Sequence, residues 1–257
     1  MIGIFDSGVG GLTVLKALRE VLPTADVLYF GDTKNAPYGS RSRDDLTSLT
    51  VAALKLLQER GAQNIVSACN SVSASLAVSL LDAFSIAPQQ LIEMVGPTVS
   101  YFKGSSARLM LYATPATINS DIYQNAFQMI GKNIKAIAIP ELAGAIESGK
   151  SEINIEEIIR KAFPQTPQDI DVLILACTHY PLVLPVFRKV LGENILIFDP
   201  AVAVAERAKK QFWPQEVGDG TTRFLLSKDS ENFRTLVIRL FPEMKFELEV
   251  LEFEPER

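Results

Sequence analysis

Apolar positions along the chain alternate between two spacings. Ile2 to Phe5, Val27 to Phe30 and Asn64 to Cys69 contain short apolar runs of the kind a strand buried on both faces requires. Each run ends at a polar or glycine-bearing break, and apolar residues at helical spacing follow. Leu12, Leu15, Leu18, Val21 and Leu22 follow the first run, Leu46, Leu49, Leu54 and Leu57 the second, and a helix is predicted after Asn70. Leu91 to Val95 reads as a further strand, with Gly96-Pro97 as the crossing into a second series. That series predicts strands over Arg108 to Thr114, Ile134 to Ile139, Val172 to Ala176 and Ile195 to Phe198. Its helices are predicted over Asn119 to Ile130, Glu141 to Glu147, Ile153 to Phe163, from Pro181 to Leu191, and through Val202 and Ala205. A strand near Phe224 to Leu226, a helix over Glu231 to Leu240 and the alternating run Phe246 to Val250 complete the chain.

Strands alternating with amphipathic helices imply mainly parallel sheets joined by right-handed crossovers. The predicted class is α/β, with two similar lobes, each a mainly parallel sheet flanked by helices, and a site in the cleft between them. Residues 1–96, completed by 206–257, are expected to form the first lobe, and residues 97–205 the second.

Composition narrows the class further. With 257 residues, 47% hydrophobic and 21% charged, the chain carries enough apolar surface for folded lobes throughout. A net charge of −5 with mixed signs provides no footprint for nucleic acid and is compatible with a small polar substrate. The first residues lack the pattern of a secretory signal and no stretch resembles a membrane span, so a cytoplasmic protein without membrane association is expected. Two cysteines in a reducing compartment are expected as free thiols.

Those cysteines share one context. Ile65-Val-Ser-Ala-Cys-Asn-Ser71 and Leu173-Ile-Leu-Ala-Cys-Thr-His179 each run from an apolar strand into Ala-Cys and a polar pair. Two lobes facing each other would bring Cys69 and Cys177 to opposite sides of one ligand, at strand ends where open α/β sheets place their sites. One thiol can then remove a proton from a carbon acid while the other delivers a proton to the opposite face. A helix start after each cysteine predicts depressed thiol pKa values. His179, the single histidine, is placed for proton transfer or orientation. One histidine and two distant cysteines do not form a zinc pattern, so no metal is expected.

Other readings follow from other stretches. Gly8-Val-Gly-Gly11, with Asp32 at the end of the next strand, is a partial dinucleotide fingerprint. Its third glycine is replaced by Thr13, and Asp6 stands where a pyrophosphate would approach, so the glycines are equally explained by a sharp turn. Gly31 to Ser40 is long for a βα connection and carries Pro37, Tyr38 and Gly39, an aromatic wall if it borders a site.

The ordered set Phe5-Asp-Ser-Gly-Val-Gly-Gly-Leu-Thr13, Gly31-Asp-Thr33 with Pro37-Tyr-Gly39, Ala68-Cys-Asn-Ser71 and Ala176-Cys-Thr-His-Tyr-Pro-Leu182 resembles the glutamate racemases of the aspartate/glutamate racemase family. The resemblance runs through nearly the whole chain. It implies cofactor-independent interconversion of L- and D-glutamate for peptidoglycan, with Cys69 and Cys177 as the two acid/base residues. Asp6, His179 and Glu147 would assist them. It further implies that Asp6, Ser7, Tyr38, Gly39, Asn70, Ser71, Thr178 and His179 line the substrate site, that Thr114 and Thr117 add hydroxyls, and that the protein is a homodimer. Ser71 stands where the family usually has threonine, keeping the hydroxyl without the methyl group. The segments after Val95 and over Glu141 to Gly144 depart from the usual pattern. Competing readings are racemisation of another amino acid such as aspartate, a noncatalytic amino-acid-binding regulatory protein on the same fold, and a redox-sensing thiol pair.

Overall fold

The computed structural model describes residues 1–73, 86–163, 169–214 and 217–255. Its strands are β1 (Ile2–Asp6), β2 (Val27–Gly31), β3 (Asn64–Ser67), β4 (Leu91–Ile92), β5 (Leu109–Ala113), β6 (Lys135–Ala138), β7 (Val172–Ala176), β8 (Leu196–Phe198), β9 (Thr222–Leu226) and β10 (Phe246–Val250). They form two parallel sheets, a six-stranded one in the order β10-β9-β2-β1-β3-β4 and a four-stranded one in the order β6-β5-β7-β8. The α/β class with two helix-flanked parallel sheets is therefore the architecture of the chain.

Register explains why chemistry collects at one edge of each sheet. Asp6 pairs with Gly31 across β1 and β2, and Phe5 with Ser67 across β1 and β3, so Ser7, Asp32 and Cys69 leave the first sheet together. In the second sheet Ala113 pairs with Ala176, which sets Thr114 beside Cys177. The strands β1, β2, β3, β5 and β7 are buried along their whole length. Their runs lack a polar alternation because helices cover both faces of a parallel sheet.

Two helices join the lobes. Pro200–Phe212 packs Ala201, Val204, Ala208 and Phe212 into the core that also holds Leu12, Leu15 and Leu18 from the helix Leu12–Val21, while Ala203 enters the core of the second sheet. Val95–Tyr101 likewise sends Val95 and Val99 into that second core. The division points 96/97 and 205/206 both fall inside these helices.

Several elements differ from the pattern-based expectation. The strand predicted to Val95 stops at Ile92, and Gly96-Pro97 lies in the first turn of a helix. The Glu93 carboxylate accepts hydrogen bonds from the N–H groups of Val95 and Gly96 at 2.5 Å each, and a proline near a helix start has no N–H to leave unpaired. The helix predicted over Asn119 to Ile130 is two helices, Pro115–Asn119 and Ile122–Met129, broken where Asp121 adopts φ 55. Thr114 caps the first of them ahead of Pro115, a start signal that the apolar spacing hid. Pro181 opens a short 3-10 turn, Tyr180–Val183, before the helix Leu184–Leu191. The helix predicted after Asn70 is described through Ser73, and its continuation lies outside the described residues. Among the described residues, no helix is long and apolar enough to cross a membrane.

Candidate active site

The two Ala-Cys strand ends face one cavity. It is lined by Ser7, Pro37, Tyr38, Gly39, Cys69, Asn70, Ser71, Thr114, Ala143, Cys177, Thr178 and His179. The segments after β1, β2 and β3 supply one wall, and those after β5, β6 and β7 supply the other. Both cysteines are free and buried. With a volume of about 10 Å³, the cavity has room for about one water molecule. In this closed arrangement the walls hold each other directly.

Around Cys177 the walls are held by charge. His179 Nδ1 lies 3.8 Å from Cys177 Sγ, and its Nε2 lies 2.6 Å from Glu147 Oε2. That carboxylate oxygen also accepts the Val9 N–H from the first lobe at 2.9 Å. Burial disfavours the imidazolium, but the Cys177 sulfur and the Glu147 carboxylate outweigh it and hold His179 well above its ordinary pKa. A protonated imidazole donates from both nitrogens, which is what a sulfur on one side and a carboxylate on the other require.

Around Cys69 there is no corresponding cation among the lining residues. Its thiol faces the Ser7 hydroxyl at 3.8 Å. Burial first, and then the nearby Asp6 carboxylate, push the thiol up to about 12. The Val72 N–H at the helix start and the Ser7 hydroxyl pull downward without prevailing. This corrects the depressed pKa expected of Cys69: the helix begins where predicted, but desolvation of a thiolate exceeds the stabilisation by one turn of amides.

Three predicted residues stand behind the wall. Asp6 is fully buried, accepts from the Gly8 N–H at 2.9 Å and from the Thr178 hydroxyl at 3.0 Å, and so ties the lobes together beneath the cavity. Burial raises its carboxyl pKa against the opposing pull of His179 and of these bonds. Glu147 stands behind His179. Thr117 shares a hydroxyl contact of 3.1 Å with Thr114, which in turn meets Ser71 of the first lobe at 2.9 Å.

The glycine turn acts by allowing close approach. None of Gly8, Gly10 and Gly11 has a positive φ, so a left-handed turn is not their reason. A Cβ at Gly8 would sit 2.3 Å from the Glu147 carboxylate, and one at Gly10 would sit 2.4 Å from Thr178 Oγ1 and 2.6 Å from His179 Nδ1. The place where a pyrophosphate oxygen would meet the Val9 amide is taken by the Glu147 carboxylate. Asp32 likewise serves the loop: it accepts from Asn35 at 3.0 Å, from the Tyr38 hydroxyl at 2.5 Å and from Ser227 at 2.6 Å.

Some of these residues carried no signal that could single them out. Ala143 offers only smallness, and Pro37 was legible only as part of its loop. Asn232 holds the Ile146 and Glu147 carbonyls at 3.1 and 2.8 Å from a helix remote in sequence.

Known proteins resemble the chain in sequence and in fold. A glutamate racemase of Thermoanaerobacter sp. (strain X514) is 36% identical over 240 residues, 90% of this chain and 89% of that protein. The crystal structure of a glutamate racemase isoform from Bacillus anthracis superposes with a TM-score of 0.88 at 27% identity, covering 100% of this chain and 98% of that one. A glutamate racemase from Francisella tularensis, solved with D-glutamate, gives 0.83 at 28% identity over 97% of this chain and 96% of that one. Residues 12–208 match the Asp/Glu/Hydantoin racemase family as well. The chain belongs to that family.

Proposed function

We propose that the protein is a glutamate racemase in which two thiols exchange protons with opposite faces of the substrate α-carbon. The single observation that carries this reading is the pair of buried cysteines at equivalent strand ends of two lobes, lining one cavity. The glutamate racemases that match nearly the whole chain support glutamate as the substrate.

In one direction Cys177, as thiolate, takes the α-hydrogen as a proton. The C–H bond breaks, and its electron pair delocalises into the α-carboxylate, where amides and hydroxyls of the wall hold the charge. Cys69, held as a thiol by its surroundings, gives its proton to the other face, a new C–H bond forms, and the thiolate is now Cys69. Atoms and charge balance, and the reverse direction exchanges the two roles. His179 balances charge on the Cys177 side, and Glu147 keeps it protonated and oriented. Asp6 acts through Thr178 and the glycine turn rather than from the cavity surface.

A cavity with room for one water cannot hold glutamate, so the lobes part to admit it. The contacts Asp6–Thr178, Val9–Glu147 and Ser71–Thr114 are those that reform around the substrate. The same reading makes the protein a cytoplasmic homodimer whose product supplies peptidoglycan synthesis. Circular dichroism or polarimetry of L-glutamate without added pyridoxal phosphate tests it, with aspartate in parallel. Racemisation of glutamate is expected. Folded protein that leaves both amino acids unchanged overturns the reading, and faster turnover of aspartate moves the substrate assignment.

A further inference from the structure

Asn70 follows Cys69 on the cavity wall and is almost fully buried. Its Oδ1 accepts a hydrogen bond of 2.6 Å from the hydroxyl of Tyr123, a fully buried residue of the second lobe. Its Nδ2 is buried with no partner among the described residues. A buried amide nitrogen with two unused hydrogens is costly unless something that enters the site accepts them. Burial of the Tyr123 phenol pushes its pKa upward, which favours the protonated form that donates to Asn70.

We infer that Tyr123 is a positioning residue for the substrate site: by donating to Asn70 Oδ1 from across the cleft, it turns the Asn70 amide so that Nδ2 presents two donors to a substrate carboxylate. An amide rotated the other way would aim its oxygen at an anion. Because the phenol comes from the opposite lobe, the orientation is complete when the lobes are together, which ties recognition of the carboxylate to closure. This rests on the reading of the cavity as a glutamate site.

Tyr123→Phe removes one oxygen and leaves the ring in its packing. The variant is expected to raise KM for glutamate about tenfold while kcat stays within about threefold, the pattern of lost binding common to ground and transition states. In an Asn70→Ala background, adding Tyr123→Phe should change KM by less than about twofold, because the phenol acts through the amide. A loss of packing alone would lower Tm and multiply equally in both backgrounds. A wild-type KM in Tyr123→Phe, or the same fold-change in both backgrounds, overturns the inference.

Should the phenylalanine variant not fold, the wild-type protein carries a second readout. The side-chain ¹⁵N–¹H pair of Asn70, identified by its loss in Asn70→Ala, should shift when glutamate is added, and an unchanged pair overturns the inference. Wild-type protein that neither binds nor racemises glutamate removes the functional reading and this inference together. Wild-type turnover with an unmoved Asn70 signal or an unaltered Tyr123→Phe KM removes only the role of Tyr123.

Discussion

The two halves of the site start from the same local pattern and end in different electrostatics. Ala68-Cys69 and Ala176-Cys177 both terminate buried parallel strands, yet Cys69 runs into a helix at Asn70 and Cys177 into a 3-10 turn that carries His179. The helix leaves Cys69 buried and near the Asp6 carboxylate, which hold it as a thiol against the pull of the Ser7 hydroxyl. The turn sets the His179 imidazole 3.8 Å from Cys177, with Glu147 at its other nitrogen and its pKa held well above the ordinary value by that sulfur and carboxylate against the cost of burial. Similar strand ends place the two sulfurs, and the residues after them give each different surroundings.

The largest effect should come from removing either sulfur. Cys69→Ala and Cys177→Ala are each expected to lower racemisation by about 10³-fold or more, since each proton transfer loses its acid or base. Turnover of either variant near the wild-type rate would break the pairing. Next, Glu147→Gln should lower kcat by about tenfold to a hundredfold, and it should also change the pH profile. The sign follows from His179, whose folded pKa is raised: its charged form is present at low pH and lost as pH climbs through that value. Without the carboxylate this loss moves to lower pH, so the alkaline limb of activity and the stability of the pair both retreat toward neutrality. An unmoved limb would separate Glu147 from His179.

A structural perturbation of both halves at once ranks third. Gly10→Ala places a Cβ against Thr178 and His179, so it is expected to cost about 1–3 kcal/mol of stability and to hinder closure. Thermal unfolding and KM measure the two parts. Fourth, Cys69 should react slowly with iodoacetamide near neutral pH in the substrate-free protein. Its reactivity should rise only as pH approaches 12, and the stability associated with the raised thiol should be full below about pH 9 and fall above it. Fast alkylation of Cys69 at pH 7, read by mass spectrometry, would contradict its assignment as the resting thiol. The smallest effect is expected of Ser71→Thr, which keeps the hydroxyl that meets Thr114 and adds a methyl group, changing KM by less than about threefold.

Much of this comparison is legible in the sequence, because it depends on local order. Strand runs such as Val172 to Ala176, the helix over Glu231 to Leu240 and the strand Phe246 to Val250 follow directly from apolar spacing. The repeated Ala-Cys ends carried the site. Capping and distant partners were not visible. Glu93 turns a predicted strand end into a helix start, and the left-handed Asp121 breaks a helix whose apolar spacing continues across it. The thiol pKa of Cys69 depends on its burial and on Asp6, which comes from a different strand end, and no short stretch encodes either. Nor does sequence order disclose that the glycine turn is kept bare for Glu147 and His179, residues more than a hundred positions away.

The central claim is that protons enter and leave through opposite faces. Racemisation of L-glutamate in deuterium oxide, sampled at low conversion with the enantiomers separated, tests it directly. The account predicts deuterium at the α-carbon of the newly formed D-glutamate while the recovered L-glutamate keeps its protium, because the donor thiol exchanges with solvent and the acceptor thiol lies on the other face. D-glutamate that retains the original α-hydrogen would contradict it.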